Sequence, residues 1–305
     1  MYPDFVVMYQ KLLSQSGFSM ERLASFCAVA DAGSIVGVAP RDLGRQSLIS
    51  RQIRELESFF GVELVRRKGR GLEVTETGRE LAAVGREGFK GLSDFAARCE
   101  CAPWSVRIVA SNSISNWLLL PMLKRVADKM PDVRFEIFHE QTRDMIRMTR
   151  EGTYDIAFVD QESLDDRFGK LPLGKVGFSL VLPKGLVSRV PPDLATALSK
   201  APLALPLGGR LRSRIDEIAD QAGVTMQVSV GCSSYLQGSQ LAESGMCAAA
   251  LPDLALASLD KKRFHLFPLP YCYELALAWN ARNADTRPAL ARLIGELGEA
   301  AVVTV

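Results

Sequence analysis

The chain has 305 residues, of which 48% are hydrophobic and 24% are charged, a composition typical of a globular protein with two or three domains. The formal net charge is only +2, so the overall balance neither requires nor excludes a nucleic-acid partner, and a basic surface would have to be local. No apolar run approaches the ~20 residues that a membrane-spanning helix needs, so we expect no transmembrane segment and no membrane partner.

Residues 1–19 are predicted to form an extension ahead of the first domain, and Met20 is an alternative start. The extension lacks the basic start, apolar region and cleavage site of a signal peptide, so we expect a cytoplasmic protein. Its six cysteines are then expected to stay reduced, and only Cys99 and Cys101 lie close in sequence. Two thiols without a special role are the simplest interpretation, and a redox switch is the alternative. No spacing indicates a metal or another cofactor.

The first domain opens with three predicted helices. Leu23 and Phe26 begin an apolar pattern with a spacing of three and four residues, typical of a helix that buries one face, and Gly33 ends it. Ser34 is placed to cap a second helix. Pro40 must kink or shorten that helix, because proline lacks the amide hydrogen that a helix interior needs. A third helix follows after a short turn.

The third predicted helix buries Ile49, Ile53 and Leu56 and turns a polar, basic face outward. Such side chains reach base edges and phosphates when a helix enters the major groove of DNA. Two short strands are predicted next, at 62–65 and 72–74. The tip between them carries four cations and two glycines, which suits contact with phosphates.

Basic residues are concentrated in this part of the chain. Residues 41–70 hold eight Lys or Arg and four Asp or Glu, a local charge of 8 − 4 = +4. A solvated helix or a charged hairpin would explain either piece alone, but the two in this order indicate a DNA-binding helix and its wing. The residues predicted to contact DNA are Arg45, Gln46, Ser47, Ser50, Arg51, Arg54, Lys68 and Arg70.

A long helix without proline is predicted over 76–98, with Thr75 as its cap. Its apolar residues, among them Ala82, Phe89 and Leu92, recur at helical spacing. Packing against its own domain is one interpretation. We favour a dimer seam at Phe89 and Leu92, because a helix between two domains has little else to cover them.

From residue 106 onward, short β-rich runs alternate with amphipathic helices, the pattern of a parallel α/β sheet. A ligand in such a fold lies in the crevice at the carboxyl ends of the strands. The predicted strands are 106–110, 133–138, 155–159, 178–182, 227–231, 248–251 and 274–279, and the predicted helices are 117–130, 142–151, 210–222, 234–245 and 287–300.

Two strand-to-helix turns in this region are rich in hydroxyls, and a third segment forms a tight loop. Helix N-termini favour anions, so the turns suit a small carboxylate, although simple capping and an ordinary turn are the alternatives. The candidate effector-binding residues are Ser111, Asn112, Ser113, Pro206, Leu207, Ser233 and Ser234.

The order of residues resembles the signature of LysR-type transcription regulators. The resemblance is most specific in the first domain and continues through the α/β region. In the first domain it is carried by Phe26, Val29, Ala30, Gly33, Ser34, Gln46, Ser50, Arg51, Gln52, Ile53, Leu56, Glu57, Gly61, Val62, Leu64, Arg70, Gly71, Thr75 and Gly78. In the α/β region it is carried by Leu120, Pro121, Pro131, Asp132, Val133, Glu151, Gly152, Asp155, Ile156, Ala157, Gly245, Ala250, Leu251 and Pro252.

The resemblance implies a homodimer or homotetramer that binds double-stranded promoter DNA and responds to a small-molecule effector. It also implies that both hydroxyl-rich turns line one effector pocket. The implied fold is α/β, with a winged helix-turn-helix at 20–78, a linker and dimerisation helix at 79–102, and a two-lobed, periplasmic-binding-protein-like effector domain at 103–305. Lobe I would comprise about 103–180 and 270–305, and lobe II about 181–269.

Three residues depart from the family pattern. Pro40 falls in the second helix, Arg45 stands where a Ser or Thr cap of the third helix is usual, and Ser47 replaces a proline. A lost cap costs ~1 kcal/mol. We therefore expect the docking on DNA, rather than the fold, to differ from that of other members.

Enzyme motifs are missing from the sequence, which has no GxGxxG, GxxxxGK[ST], HExxH or GxSxG. His139 and His265 have no adjacent acid or nucleophile and are expected to be structural. We predict a sequence-specific DNA-binding regulator that is controlled by a small effector and is not an enzyme. The alternatives are a two-lobed solute-binding protein with weak or lost DNA binding, and an enzyme on an α/β fold.

Overall fold

A computed structural model of the chain describes residues 12, 16–68 and 71–302. The chain divides into two compact units. The first comprises the residues up to Ala102 together with Arg150–Thr153, and the second comprises Pro103–Thr149 and the residues from Tyr154 onward. Among the residues described, no helix is both long and apolar enough to cross a lipid bilayer.

The first unit consists of three helices, a hairpin and a long fourth helix. Its elements are α1 (Met20–Ala32), α2 (Ile35–Val38), α3 (Leu43–Phe60), β1 (Val65–Lys68), β2 (Gly71–Val74) and α4 (Glu76–Cys99). The Ser34 hydroxyl accepts the Gly37 amide at 2.9 Å, so the predicted cap of α2 is confirmed. As expected, this helix is short and ends before Pro40.

The core of this unit lies between α1 and α3. The predicted apolar stripes are confirmed, because Phe26, Ile53 and Leu56 are at most 2% exposed. Leu64, just before the hairpin, is also fully buried in this cluster. The apolar face of α3 is therefore fixed inward, and the opposite face is left for other contacts.

The cap of α3 differs from the expectation. The helix begins at Leu43, and the Asp42 side chain accepts the Arg45 amide at 2.8 Å. The expected loss of a cap at Arg45 is wrong, because the capping residue lies three positions earlier. A carboxylate there also favours the positive end of the helix.

The first half of α4 packs closely on α1. Thr75 caps α4, as predicted, by accepting the Gly78 amide at 3.0 Å. A Cβ atom at Gly85 would lie 2.7 Å from the Cys27 sulfur and 3.1 Å from the Leu23 side chain. The two helices therefore approach at a distance that only glycine allows at this position.

The second unit contains one eight-stranded sheet with helices packed on it. Its strands are β3 (Trp104–Ala110), β4 (Val133–Phe138), β5 (Ile156–Asp160), β6 (Phe168–Pro183), β7 (Leu203–Pro206), β8 (Val228–Cys232), β9 (Ala248–Pro252) and β10 (Phe264–Asn280). Its helices are α5 (Asn112–Ile114), which runs through a π-helical turn (Ser115–Leu119) into α6 (Leu120–Lys129), then α7 (Thr142–Arg150), α8 (Leu194–Lys200), α9 (Arg210–Ala222), α10 (Tyr235–Glu243), α11 (Ala281–Thr286) and α12 (Pro288–Val302).

The strand order is β4-β3-β5-β10-β6-β9-β7-β8. The outer strands pair in parallel, β4-β3-β5 on one side and β9-β7-β8 on the other. The parallel pairing predicted from the alternation of strands and helices is present within each of these groups, and β6 and β10 are antiparallel to each other and to their other neighbours. These two long strands run through the middle of the sheet and join two α/β lobes.

A buried ion pair lies at the start of β5. Arg287 donates to the Asp155 carboxylate at 2.6 Å, and both side chains are 1% exposed. The other carboxylate oxygen of Asp155 accepts the Arg107 amide of β3 at 2.8 Å. The pair therefore connects the C-terminal helices to β5 and its neighbour β3.

Candidate functional site

Six of the eight residues predicted to contact DNA lie on the outward part of α3. Four of them are exposed, namely Arg45, Ser47, Arg51 and Arg54, and two are half-buried, namely Gln46 and Ser50. Gln46 also makes a hydrogen bond within its own unit, in which its Nε2 donates to the Ala39 carbonyl at 2.8 Å. Gln46 therefore holds α3 against the end of α2 in addition to any contact with a base.

Glu55 links the outward face to α1. Its carboxylate accepts Arg51 Nε at 2.9 Å and Arg22 Nε at 2.6 Å. The hydrogen bonds from Arg51 and then from Arg22 lower the pKa of Glu55. The Arg51–Glu55 spacing of four residues was visible in the sequence, but the tertiary contact with Arg22 was not.

The wing residues are only partly described. Lys68 ends β1 at the hairpin tip, its side chain is not described, and Arg70 lies outside the described residues. Across the hairpin, Arg66 pairs with Glu73 at 3.0 Å. The hairpin predicted to form the wing is therefore present, while its two predicted DNA contacts stay predictions.

The predicted seam on α4 stays a prediction, and its two residues have different surroundings in the structure. Phe89 packs against the core of its own unit, so it is not part of an exposed stripe. Leu92 is 58% exposed, and Phe95 and Val84 join it at 59% and 50%. The exposed apolar stripe of α4 therefore consists of Val84, Leu92 and Phe95, two of which the sequence prediction missed.

A cleft of about 500 Å³ opens in the second unit at the carboxyl ends of β3, β5, β7 and β8. This is the crevice at which open α/β sheets bind ligands. The structure brings all seven candidate effector-binding residues to its wall, namely Ser111, Asn112, Ser113, Pro206, Leu207, Ser233 and Ser234.

The two hydroxyl-rich turns differ in what they offer a ligand. Ser111 caps the first turn by accepting the Ile114 amide at 3.4 Å, and its hydroxyl lies 3.1 Å from that of Ser113. At the second turn, Gln237 Oε1 accepts the amides of Ser233 at 2.9 Å and Ser234 at 3.3 Å. The amides of Ser233 and Ser234 are therefore already hydrogen-bonded within the protein, and the structure gives less support to the anion site predicted at this turn.

Four aromatic residues of the cleft were not predicted. The Phe178 ring centre lies 5.4 Å from that of Tyr271, 5.5 Å from Tyr235 and 6.1 Å from Tyr273. All four rings line the cleft. They come from β6, α10 and β10, so no local spacing in the sequence could have indicated the cluster.

Burial raises the pKa of the three phenols in this cluster above the ordinary value for tyrosine, which already lies well above neutral pH. It raises the pKa of Tyr235 to about 12, with a smaller contribution from Tyr271. Burial also raises the pKa of Tyr271 and of Tyr273. Each hydroxyl therefore retains its proton at neutral pH and is available as a hydrogen-bond donor.

Asp160, at the carboxyl end of β5, is the carboxylate of the cleft wall. It accepts Arg210 Nη1 at 3.2 Å and the Glu162 amide at 3.1 Å, and Arg210 also donates to the Glu162 carboxylate at 3.1 Å. His139 also lines the cleft, and its Nδ1 lies 3.2 Å from the Ala110 carbonyl oxygen. The strand-end position of Asp160 was visible in the sequence, but its pairing with Arg210 was not.

The cysteines are all free thiols. Cys232 lines the cleft, and burial raises its pKa and that of the buried Cys247. Cys99 and Cys101 are exposed. Within the described part of the chain, no group of three or more His, Cys, Asp or Glu is arranged to hold a metal ion.

Several known proteins resemble this chain along most of its length. A probable hydrogen peroxide-inducible genes activator of Mycobacterium leprae is 28% identical over 293 residues, covering 90% of this chain and 93% of that protein. The structure of ArgP from Mycobacterium tuberculosis has a TM-score of 0.71 at 22% identity, covering 92% of this chain and 96% of that one. The full-length regulator LysG from Corynebacterium glutamicum, solved with bound effector arginine, has a TM-score of 0.69 at 18% identity, covering 94% and 99%.

Two family matches account for both units. Residues 20–79 match the bacterial regulatory helix-turn-helix protein of the lysR family, and residues 105–302 match the LysR substrate binding domain. They agree with the helix-turn-helix of the first unit and with the two-lobed sheet and cleft of the second. The chain belongs to the LysR family of DNA-binding transcription regulators with an effector-binding domain.

Proposed function

We propose that this regulator contacts promoter DNA through the exposed face of α3 and its wing, and that a small organic effector in the cleft controls it. The observation that carries the proposal is the presence of both surfaces in one chain. Exposed arginines lie on one face of a helix whose other face is buried, and seven predicted residues line one cleft. A solute-binding protein would have the cleft but would lack the DNA-binding face, so the two surfaces together favour a regulator.

The proposal includes a homodimer or homotetramer formed through α4. The support is the exposed apolar stripe of Val84, Leu92 and Phe95 on a helix whose other side is occupied by its own unit. A second copy of the stripe would cover it in the manner of a coiled coil. Two recognition helices of such a dimer would bind two half-sites.

We retain a carboxylate as the proposed anionic group of the effector, but only at the first turn. The hydroxyls of Ser111 and Ser113 line the cleft there and can donate to an anion. The Ser233 hydroxyl is directed to Gln237 at 3.2 Å. Ser113→Ala is therefore expected to weaken effector binding more than Ser233→Ala.

Hydrogen peroxide is a less well supported effector. Some relatives are named as probable peroxide-inducible activators. The thiolate is the form that reacts with peroxide, whereas burial raises the pKa of Cys232 and so disfavours that form. An organic ligand that fills the cleft is favoured, and we propose no catalytic step for it.

A regulator that acts on promoters would work in the cytoplasm.

Gel shifts with the DNA upstream of its own gene, together with thermal shifts against metabolites and hydrogen peroxide, test the proposal. We expect Arg51→Ala to weaken DNA binding at least tenfold. The slope of log affinity against log salt should flatten by about 0.9 for each lost phosphate contact. Lys124→Ala, which removes an exposed cation of α6, is the control and should change neither quantity.

Unchanged DNA affinity in Arg51→Ala would contradict the placement of the DNA contact. A chain that binds DNA but is stabilised by no compound would contradict the effector part alone. Stabilisation by peroxide together with loss of one cysteine thiol would replace the organic effector by the oxidant.

A further inference from the structure

The electrostatic character of the cleft wall is acidic. Of the residues that line it, all within the described part of the chain, Asp160 is the one carboxylate, and none is Lys or Arg. Asp160 and Glu162 share the single guanidinium of Arg210. Two carboxylates against one cation leave 1 − 2 = −1 at this end of the cleft.

Arg210 does not neutralise Asp160 completely. Its side chain is 62% exposed, and it divides its Nη1 contacts between the two acids at 3.2 and 3.1 Å. The Asp160 side chain is only 18% exposed. A half-neutralised carboxylate at a sheltered wall attracts a positively charged group more strongly than an exposed one, because water screens it less.

The aromatic cluster strengthens the same preference. The cleft is lined by Phe178, Tyr235, Tyr271 and Tyr273. Burial raises the pKa of Tyr271, and the charges of Arg210 and Asp160 also act on its hydroxyl, so this ring lies near both groups. The faces of aromatic rings carry the negative part of the ring quadrupole and attract cations. Within the described part of the chain, the hydroxyls of Tyr235, Tyr271 and Tyr273 make no hydrogen bond to the protein, so they are also available to a ligand.

We infer that the effector carries a positively charged nitrogen group, an ammonium or a guanidinium, that binds between Asp160 and the tyrosines. The inference rests on the proposed function, since it concerns the ligand of the same cleft. If the carboxylate proposed at the Ser111 turn is also present, the effector has opposite charges at its two ends. An uncharged aromatic ligand stacked on the same rings is the competing outcome.

Calorimetric titration of the full chain with matched pairs of compounds tests the inference. L-arginine and L-citrulline are nearly isosteric but differ in charge, as are L-lysine and L-norleucine. Agmatine keeps the guanidinium and lacks the carboxylate, and benzoate is aromatic and lacks a cation. We expect at least one cationic compound to bind, and at least tenfold more tightly than its neutral counterpart.

Substitutions of Asp160 and of Tyr271 test where in the cleft the positively charged group binds. Asp160→Asn keeps the acceptor for the Glu162 amide and removes the charge, so it should reduce the cation-to-neutral ratio at least tenfold. Asp128→Asn, which removes an exposed acid paired with Lys124, is the matched control and should leave the ratio unchanged. Tyr271→Phe should retain cation binding, and Tyr271→Leu should lose a large part of it.

The outcomes separate the two proposals. The inference is overturned if, in both pairs, the cationic compound binds no more tightly than its neutral counterpart, or if benzoate binds and no cation does. An unchanged ratio in Asp160→Asn also overturns it. Each of these results leaves an effector site in the cleft intact. If none of these compounds nor any metabolite of the thermal-shift set binds, the effector site itself is refuted, and the inference falls with it.

Discussion

Arg41 has a backbone conformation that residues with side chains rarely adopt. Its φ angle is 65°, in the left-handed region. Pro40 precedes it, and Asp42 follows as the cap of α3. The chain therefore turns from the short α2 into the recognition helix through a strained residue. Such a conformation costs a non-glycine residue about 1–2 kcal/mol.

Arg41→Gly should stabilise the first unit. Glycine adopts positive φ freely, and the gain of about 1 kcal/mol is only partly offset by the greater freedom of glycine in the unfolded chain. Urea denaturation of the full chain measures the change. Arg54→Gly, an exposed site inside α3, is the matched control and should destabilise by about 1 kcal/mol. A decrease in stability for Arg41→Gly would show that the left-handed residue is not strained.

Helix caps could be predicted from the sequence where the capping residue immediately precedes the apolar pattern of the helix. Ser34 and Thr75 were identified in this way. Asp42 was missed because the apolar stripe of α3 begins at Ile49, several residues after the helix itself. Leu43, in the first turn of α3, is exposed and lies outside that stripe, so it does not mark the start of the helix.

The helix α4 has two different halves. Gly78, Ala82 and Gly85 are buried in its first half, and Phe89 packs on the same core. Beyond them, Leu92 and Phe95 are mostly exposed. Helical spacing predicted which residues share a face, but it could not tell which neighbour covers them.

Leu92→Glu combined with Phe95→Glu should halve the particle mass if α4 forms the dimer. Both side chains are exposed in the single chain, so the substitutions place like charges across the seam without disturbing the core. Light scattering coupled to gel filtration measures the mass. Phe89→Glu is the contrasting variant, and should instead destabilise the first unit. A double variant of unchanged mass and unchanged circular dichroism would place the seam elsewhere.

The long strands show why strand lengths were underestimated. β6 and β10 have 16 and 17 residues, whereas only 178–182 and 274–279 were predicted. Pro172 and Pro270 interrupt the local strand pattern. Register shifts, one of them next to Pro172, let the pairing continue across these interruptions. Pairing with strands that are distant in sequence therefore extends β6 and β10 beyond the residues whose local sequence favours a strand.

At the scale of the whole molecule, the Arg287–Asp155 pair supports the sheet below the cleft. Arg287→Met should lower the free energy of unfolding by about 3–5 kcal/mol, because it removes the cation that pairs with the buried carboxylate of Asp155. Arg287→Met combined with Asp155→Asn should recover part of the loss. Thermal and urea unfolding measure both. Lys124→Met, which breaks an exposed pair, should change stability by less than about 1 kcal/mol. A similar small loss for Arg287→Met would contradict the prediction.

The cleft could be predicted only in part. The loops that follow β3, β7 and β8 were identified because the carboxyl ends of parallel strands meet at one edge. Phe178, Tyr235 and Tyr273 were not, because they come from separate segments that only the tertiary fold brings together. The polar half of the wall was therefore visible in the sequence, and the aromatic half was not.

Arg210 also has a mechanical consequence. It lies at the start of α9 in one lobe. Its guanidinium pairs with Asp160 at the end of β5 and with Glu162 just after that strand, both in the other lobe. This bridge is exposed, so dissolved ions weaken it. Salt therefore weakens one direct contact between the two lobes before any effector binds.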